Sequence, residues 1–312
     1  MKKVVLFLLI SAMLLTSLLG CNFRKENPPS DFEYSIDEDG GVRITKYVGD
    51  GLHVVIPEQI EGRNVVKIDD NAFYNSSIKT LVMPDTVKWI GLSAFYSCVS
   101  LEKVQFSKNL ISVNSKAFAN CISLREADLS ADTMQFIGIE AFANCIELRT
   151  VKFGKNITEI QELAFKFCGA LKKIILPENL QKIGQYAFRD CFSATEIFIP
   201  KTLEEWGWLA FESTVSVTKI TFEDGLRRIG FYGGFTKCQV KEVTIPSSVE
   251  RIGDLAFAEI PYLEKVYFEG NAPRVGDDVF AGMGQKITCY YDPATEGWDT
   301  TSLRDKYEVK AK

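Results

Sequence analysis

One dipeptide constrains this chain more than any other feature in it. Ala-Phe stands at Ala72-Phe73, Ala94-Phe95, Ala117-Phe118, Ala141-Phe142, Ala164-Phe165, Ala187-Phe188, Ala210-Phe211 and Ala256-Phe257, with Gly234-Phe235 and Val279-Phe280 in the two remaining slots. The ten phenylalanines follow one another at intervals of 22 to 24 residues, with a mean of 23. A fixed period of roughly 20–50 residues marks a repeat architecture, in which each unit buries its apolar face only against the next unit. The length of 312 residues therefore does not call for two conventional domains, as it would without repetition.

The rest of the unit recurs with the phenylalanine. An apolar residue, usually Ile and often followed by Gly, stands five residues before it, as in Ile90-Gly91 before Phe95. An L-x-x-V-x-F segment follows, as in Leu101/Val104/Phe106, Leu148/Val151/Phe153, Leu171/Ile174/Leu176 and Leu263/Val266/Phe268. Its last part alternates with period two and reads as a short strand with both apolar residues inward. Pro84, Pro177, Pro200 and Pro246 end such strands, since proline cannot continue a ladder. Parallel stacking at about 4.8 Å gives a mainly β solenoid of about ten coils, roughly 45 Å long. Two units are irregular. Leu129 to Ile137 spans eight steps where others have seven, and Ile229 lies six before Phe235, with Phe231 and Tyr232 in the extra length. Insertions of this kind fall in loops, and the second could expose Phe231 or Tyr232.

The combination I-G-x-x-A-F-x-x-C-x-x-L-x-x-V-x-F-P resembles the BspA-like class of bacterial leucine-rich repeats, over about residues 65–290. That resemblance implies a leucine-rich-repeat solenoid and, as function, adhesion to host or matrix proteins and to other cells. Residues 31–64 read as an N-terminal cap. They hold Phe32 to Ile36, an Asp-Glu-Asp-Gly-Gly turn and Val42-Arg43-Ile44, which is hairpin chemistry. Residues 291–312, with Tyr291-Asp292-Pro293 and Trp298, break the pattern and read as a C-terminal cap and tail.

Residues 1–20 read as a signal peptide: Lys2 and Lys3 precede an apolar run from Val4 to Leu19, short for a span of about 20 residues. Leu18-Leu19-Gly20-Cys21 resembles the bacterial lipobox, which implies cleavage before Cys21, lipidation of its thiol and a place in the cell envelope, facing outside the cytoplasm. Residues 21–30, polar and stiffened by Pro28-Pro29, read as a tether.

Six cysteines, Cys98, Cys121, Cys145, Cys168, Cys191 and Cys238, sit three residues after the repeat phenylalanine, and Cys289 takes an inward strand position. Other units have Ser76, Thr214, Ile260 or Met283 in that slot, so it reads as a small buried site for free thiols. Adjacent coils would also hold the Cβ atoms parallel and farther apart than the roughly 3.8 Å of a disulfide. No metal or cofactor is expected. There is no C-x-x-C pair, His53 is the sole histidine, and Asp37-Glu38-Asp39-Gly40 lacks the closing glutamate of a calcium loop. Nor is there a phosphate-binding glycine loop or a nucleophile–base set, so an enzyme is the least favoured reading. The net charge of -5 gives no footprint for nucleic acid.

The two residues flanking the central inward residue of each strand point outward, onto what should be the concave face. One column reads Thr80, Lys103, Glu126, Thr150, Lys173, Glu196, Lys219, Glu242, Lys265, Lys286. Its alternating signs specify register, with ligand contact the alternative. The other reads Val82, Gln105, Asp128, Lys152, Ile175, Phe198, Thr221, Thr244, Tyr267, Thr288. Ile175 and Phe198 are adjacent apolar residues on a wet face, the pattern of a partner site. Lys173, Glu196, Lys152 and Thr221 surround them. The expected protein is a lipid-anchored surface protein binding a protein or glycan ligand. The alternative is an envelope lipoprotein that captures polysaccharide or peptide, or scaffolds a neighbouring protein.

Overall fold

The structure, a computed structural model, describes residues 25–230 and 234–312. The signal peptide, Cys21 and the pair Phe231-Tyr232 lie outside these residues. The chain is a mainly β parallel solenoid of about twelve turns with 23-residue spacing, so the cap strands add turns to the ten phenylalanine units.

Each coil contributes two strands. The L-x-x-V-x-F segment forms the longer one, and the Ile-Gly segment forms a strand of two residues, such as Trp89–Ile90 or Lys182–Ile183. The glycine after that isoleucine answers close packing of coil on coil. A Cβ on Gly184 would fall 2.3 Å from the backbone nitrogen of Glu162 in the preceding coil.

Between the strands runs the phenylalanine stack. Phe73 through Phe280 are all buried, and successive rings sit nearly parallel, from 4.8 Å for Phe73–Phe95 to 5.8 Å for Phe188–Phe211. Offset stacking of this kind adds to the burial of each ring. Tyr47 continues the stack at the N-terminal end, 5.1 Å from Phe73. Tyr307 closes the other end edge-on against Phe280.

The cysteine slot is buried, and its six thiols and that of Cys289 are free. Its chemistry goes beyond filling space. Cys98 Sγ donates to the carbonyl oxygen of Phe73 at 3.0 Å, and Cys121, Cys145, Cys168 and Cys191 do the same to Phe95, Phe118, Phe142 and Phe165. Each thiol thus ties its coil to the phenylalanine of the coil before. At Thr214 the hydroxyl takes the slot and contacts Cys238 Sγ at 3.1 Å.

The N-terminal hairpin pairs Phe32–Ile36 with Val42–Tyr47, and its second strand heads the short-strand ladder through Arg63–Ile68. Asp37 and Gly40 form its turn, with Asp37 bridged to Arg43 at 2.7 Å. At the C-terminal end Trp298 is buried over Phe268, and Glu308–Ala311 adds a last parallel strand beside Thr288–Tyr291.

Both ladders are interrupted. The short-strand ladder runs unbroken to Glu205–Trp206 and restarts at Arg228–Ile229. Trp206 holds the slot that isoleucine or valine holds in neighbouring coils. Its indole fills the space of the next coil, where a Cβ on Gly230 would fall 2.4 Å from Trp206 Cβ. The longer strands form separate groups with breaks after Lys103–Gln105, Thr150–Phe153 and Lys219–Phe222.

Candidate functional site

The register of the longer strands sets out the candidate residues in two rows. Lys173, Glu196 and Lys219 are direct partners in one, and Ile175, Phe198 and Thr221 in the other. Lys173 is bridged to Glu196 at 2.6 Å, and Lys265 to Glu242 at 2.8 Å. The run of alternating charge is nonetheless not continuous, because the strands carrying Lys219 and Glu242 are not paired with each other. At the C-terminal end the rows differ from the expectation by two residues. Lys265 faces Thr288 and Tyr267 faces Tyr290, because Cys289 is the inward residue and its neighbours, rather than Lys286 and Thr288, take the two outward positions. Tyr267 and Tyr290 stack at 5.3 Å, with Lys312 Nζ 5.4 Å from the Tyr267 ring centre.

Lys152 belongs to the other side of the break after Thr150–Phe153. It is bridged to Asp128 at 3.2 Å. Burial by itself would push the Asp128 carboxyl up, but hydrogen bonds from Ser130 and Lys152 outweigh it and hold the group below its ordinary value. The step from this strand to Lys173–Ile175 is where the face opens. Val151 and Phe153, whose counterparts in other coils are buried, are partly exposed there. A depression of about 490 Å³ lies over the step, lined by Val151, Phe153, Ile175, Leu176 and Phe198 with Lys152 and Glu178 at its edge. A second of about 300 Å³ adjoins it across Ile175 and Phe198, bounded by Glu196, Lys219 and Thr221.

Of the six sequence-selected residues, Lys152, Ile175, Phe198, Glu196 and Thr221 line these two adjoining depressions, and Lys173 reaches them through its ion pair with Glu196. Ile175 is 46% exposed, far above its inward neighbour Ile174. Sequence reading missed Val151 and Phe153, which look like ordinary core positions. Only the unpaired ladder step brings them to the surface.

A roomier depression, about 700 Å³, lies elsewhere, between the N-terminal hairpin and the first coil, beside Tyr47, Asp50, Asp70 and Tyr74. His53 is exposed, with Nδ1 3.0 Å from Thr80 Oγ1. Among the described residues no group of three or more His, Cys, Asp or Glu is placed to hold a metal, and no helix is long and apolar enough to cross a membrane.

Comparison with known proteins agrees with the fold. The model of the BspA type leucine rich repeat region matches in six copies, over residues 66–191, 129–233 and 232–294. No curated protein matches the chain. Among solved structures it is similar to a leucine-rich repeat protein from Bacteroides ovatus, at 23% identity over 94% of this chain and 77% of that one, with a TM-score of 0.68. It is also similar to the T. pallidum leucine rich repeat protein, at 26% identity over 78% and 86% of the two chains, TM-score 0.47. For the pneumococcal vaccine antigen PcpA the values are 19%, 90%, 83% and 0.45. The Bacteroides likeness shows the shared fold.

Proposed function

Because the chain belongs to the BspA-type leucine-rich repeat family, we propose that it is a surface protein that binds a protein partner through its longer-strand face. The opening between Thr150–Phe153 and Lys173–Ile175 takes an apolar anchor of that partner. One observation carries this reading: Ile175 and Phe198 stand beside the partly exposed Val151 and Phe153 at an interrupted ladder step. Clustered apolar groups ringed by charge are where binding energy concentrates in protein interfaces. The rim of Lys152, Lys173 and Glu196 is already tied in ion pairs, so it contributes orientation and exclusion of water more than affinity. The partner is a host, matrix or neighbouring-cell protein, in an adhesive role. The Leu-Leu-Gly-Cys21 segment supports tethering by an acyl anchor to the cell envelope. The reading as an envelope lipoprotein that captures polysaccharide has its own support in the half-buried Tyr267–Tyr290 stack, since sugars pack on the open faces of such rings.

Binding of the chain to immobilised matrix proteins and glycans, compared with the I175D/F198D variant, tests the site. The variant should lose about tenfold or more in affinity for a protein ligand while keeping the wild-type circular dichroism spectrum. Unchanged affinity sinks the proposed opening, and capture confined to neutral glycans favours the tyrosine stack instead.

A further inference from the structure

The short-strand face carries a second feature, independent of the opening just described. Its outward position reads Glu159, Lys182, Glu205, Arg228, Arg251 and Arg274 along the axis. Up to Glu205 the signs alternate, and Lys182 is bridged to Glu159 at 3.6 Å and to Glu205 at 3.5 Å. Beyond the break at Trp206 three arginines stand in direct register, Arg228 beside Arg251 and Arg251 beside Arg274. All three are exposed, and among the described residues none makes an ion pair within 4 Å. Like charges directly opposite one another destabilise a ladder, so this row is a local cost to the fold that no direct ion pair among the described residues offsets.

The break aggravates it. Continued pairing would have put Glu205 beside Arg228, as Lys182 stands beside Glu205. A gap of about 370 Å³ lies there instead, lined by Lys201, Leu203, Glu204, Gly225, Arg227 and Arg228. Lys201 is engaged by Glu223 at 2.9 Å and Arg227 by Glu250. The uncompensated positive charge is therefore the file Arg228, Arg251, Arg274, open to the gap at one end.

Guanidinium groups present a planar fork suited to oxyanions, and a file of them at about 4.8 Å spacing asks for oxyanions in a file. We propose that Arg228, Arg251 and Arg274 bind a linear anionic polysaccharide, its sulfate or carboxylate groups running along the solenoid axis and one end seated in the gap beside Arg228. The surroundings select this shape of ligand. Each strand is short, and the chain on either side carries carboxylates: Glu204 and Glu250 before the row, Asp254 and Asp277 after it. A broad anionic surface, such as a membrane or a nucleic-acid duplex, would meet those carboxylates as well as the arginines. A single file of anions needs only the row. An extended acidic peptide places successive side chains of one face about 6.6 Å apart, out of step with the arginines. A single nucleic-acid strand depends on aromatic platforms for its bases, and among the described residues the lining of the gap holds no aromatic ring.

The probe is a size-defined heparin oligosaccharide, titrated calorimetrically into the chain at low and at physiological salt. Binding should be present at low salt and weaken as salt rises. R251E, which puts a negative charge between Arg228 and Arg274, should weaken it about tenfold or more. The same variant should melt at or above the wild-type temperature, because it relieves the stacked like charges; this separates loss of a site from loss of fold. I175D/F198D should bind the oligosaccharide as wild type does, whatever the fate of the protein-binding site. Equal binding by R251E and wild type overturns the proposal, as does no binding at low salt. Tighter binding of phosphatidylserine vesicles or polyglutamate than of the oligosaccharide also overturns it.

Discussion

The interior and the surface of the same coils behave differently. From Phe73 to Phe280 the ring stack continues through every coil, and its rings stay within 5.8 Å at each step. The two strand ladders around it are interrupted four times. The stack tolerates the breaks because ring packing depends on shape and burial, whereas a ladder needs each backbone in register with the next. The difference shows how a repeat protein acquires sites. The repeated core holds the coils together, which leaves individual ladder steps free to open. Two of the openings lie beside side chains that do not suit a closed ladder: Ile175 and Phe198 on one face, the arginine file on the other.

Breaking the stack should have the largest effect. Phe165→Ala removes a ring that lies between Phe142 and Phe188 and is fully buried. The loss should be about 3–5 kcal/mol, read from denaturant unfolding. An unfolding free energy within about 1 kcal/mol of wild type would mean that the stack is ornamental.

Alkaline titration sharpens the same contrast through the cysteine column. Burial pushes the Cys238 and Cys289 thiols up to about 12, and those of Cys145, Cys168 and Cys191 also well above the ordinary range. A thiol whose folded value is raised binds its proton more tightly in the native state, so its contribution is complete below the unfolded value of about 8.5. Stability should therefore fall as pH climbs from about 9 toward 12. Chemical unfolding along that range should show a shallower fall for a variant with Cys168→Ser. Native thiols should also resist a disulfide reagent at pH 8. Fast labelling of the folded chain would contradict the buried ladder.

Trp206→Ile tests why a ladder breaks. With the indole gone, the Arg228–Ile229 strand should join Glu205–Trp206, and exchange of the Gly230 amide should slow by about tenfold. The smallest effect belongs to the intact part of the short-strand face. Lys182→Ala, which removes both ion pairs of an exposed ammonium, should change the melting temperature by no more than a degree or so, consistent with a few tenths of a kcal/mol.

The phenylalanine period made the solenoid legible in the sequence, and the variety of residues sharing the cysteine slot made the free thiols legible. The outward rows were legible too, apart from the last coil, where Cys289 rather than spacing decided the register. The ladder breaks were harder to read. Whether Thr150–Phe153 pairs with Lys173–Ile175 depends on how two backbones settle over the core, and neither segment departs from the repeat. Trp206 was the one visible sign, a large ring in an isoleucine slot. The arginine file was visible in principle, at six residues before Phe257 and Phe280 and seven before Phe235, but it lies outside the L-x-x-V-x-F strands on which a binding face was sought.

Sites form where ladder steps open over a continuous core, and hydrogen–deuterium exchange of the free chain tests this most directly. Amides of Thr150–Phe153, paired on one side only, should exchange at least about tenfold faster than those of Glu196–Ile199, a strand paired on both sides. The repeat phenylalanines that follow the two strands, Phe165 and Phe211, should stay equally protected. Uniform protection of the two strands, or loss of protection at Phe165 along with Thr150–Phe153, would contradict it.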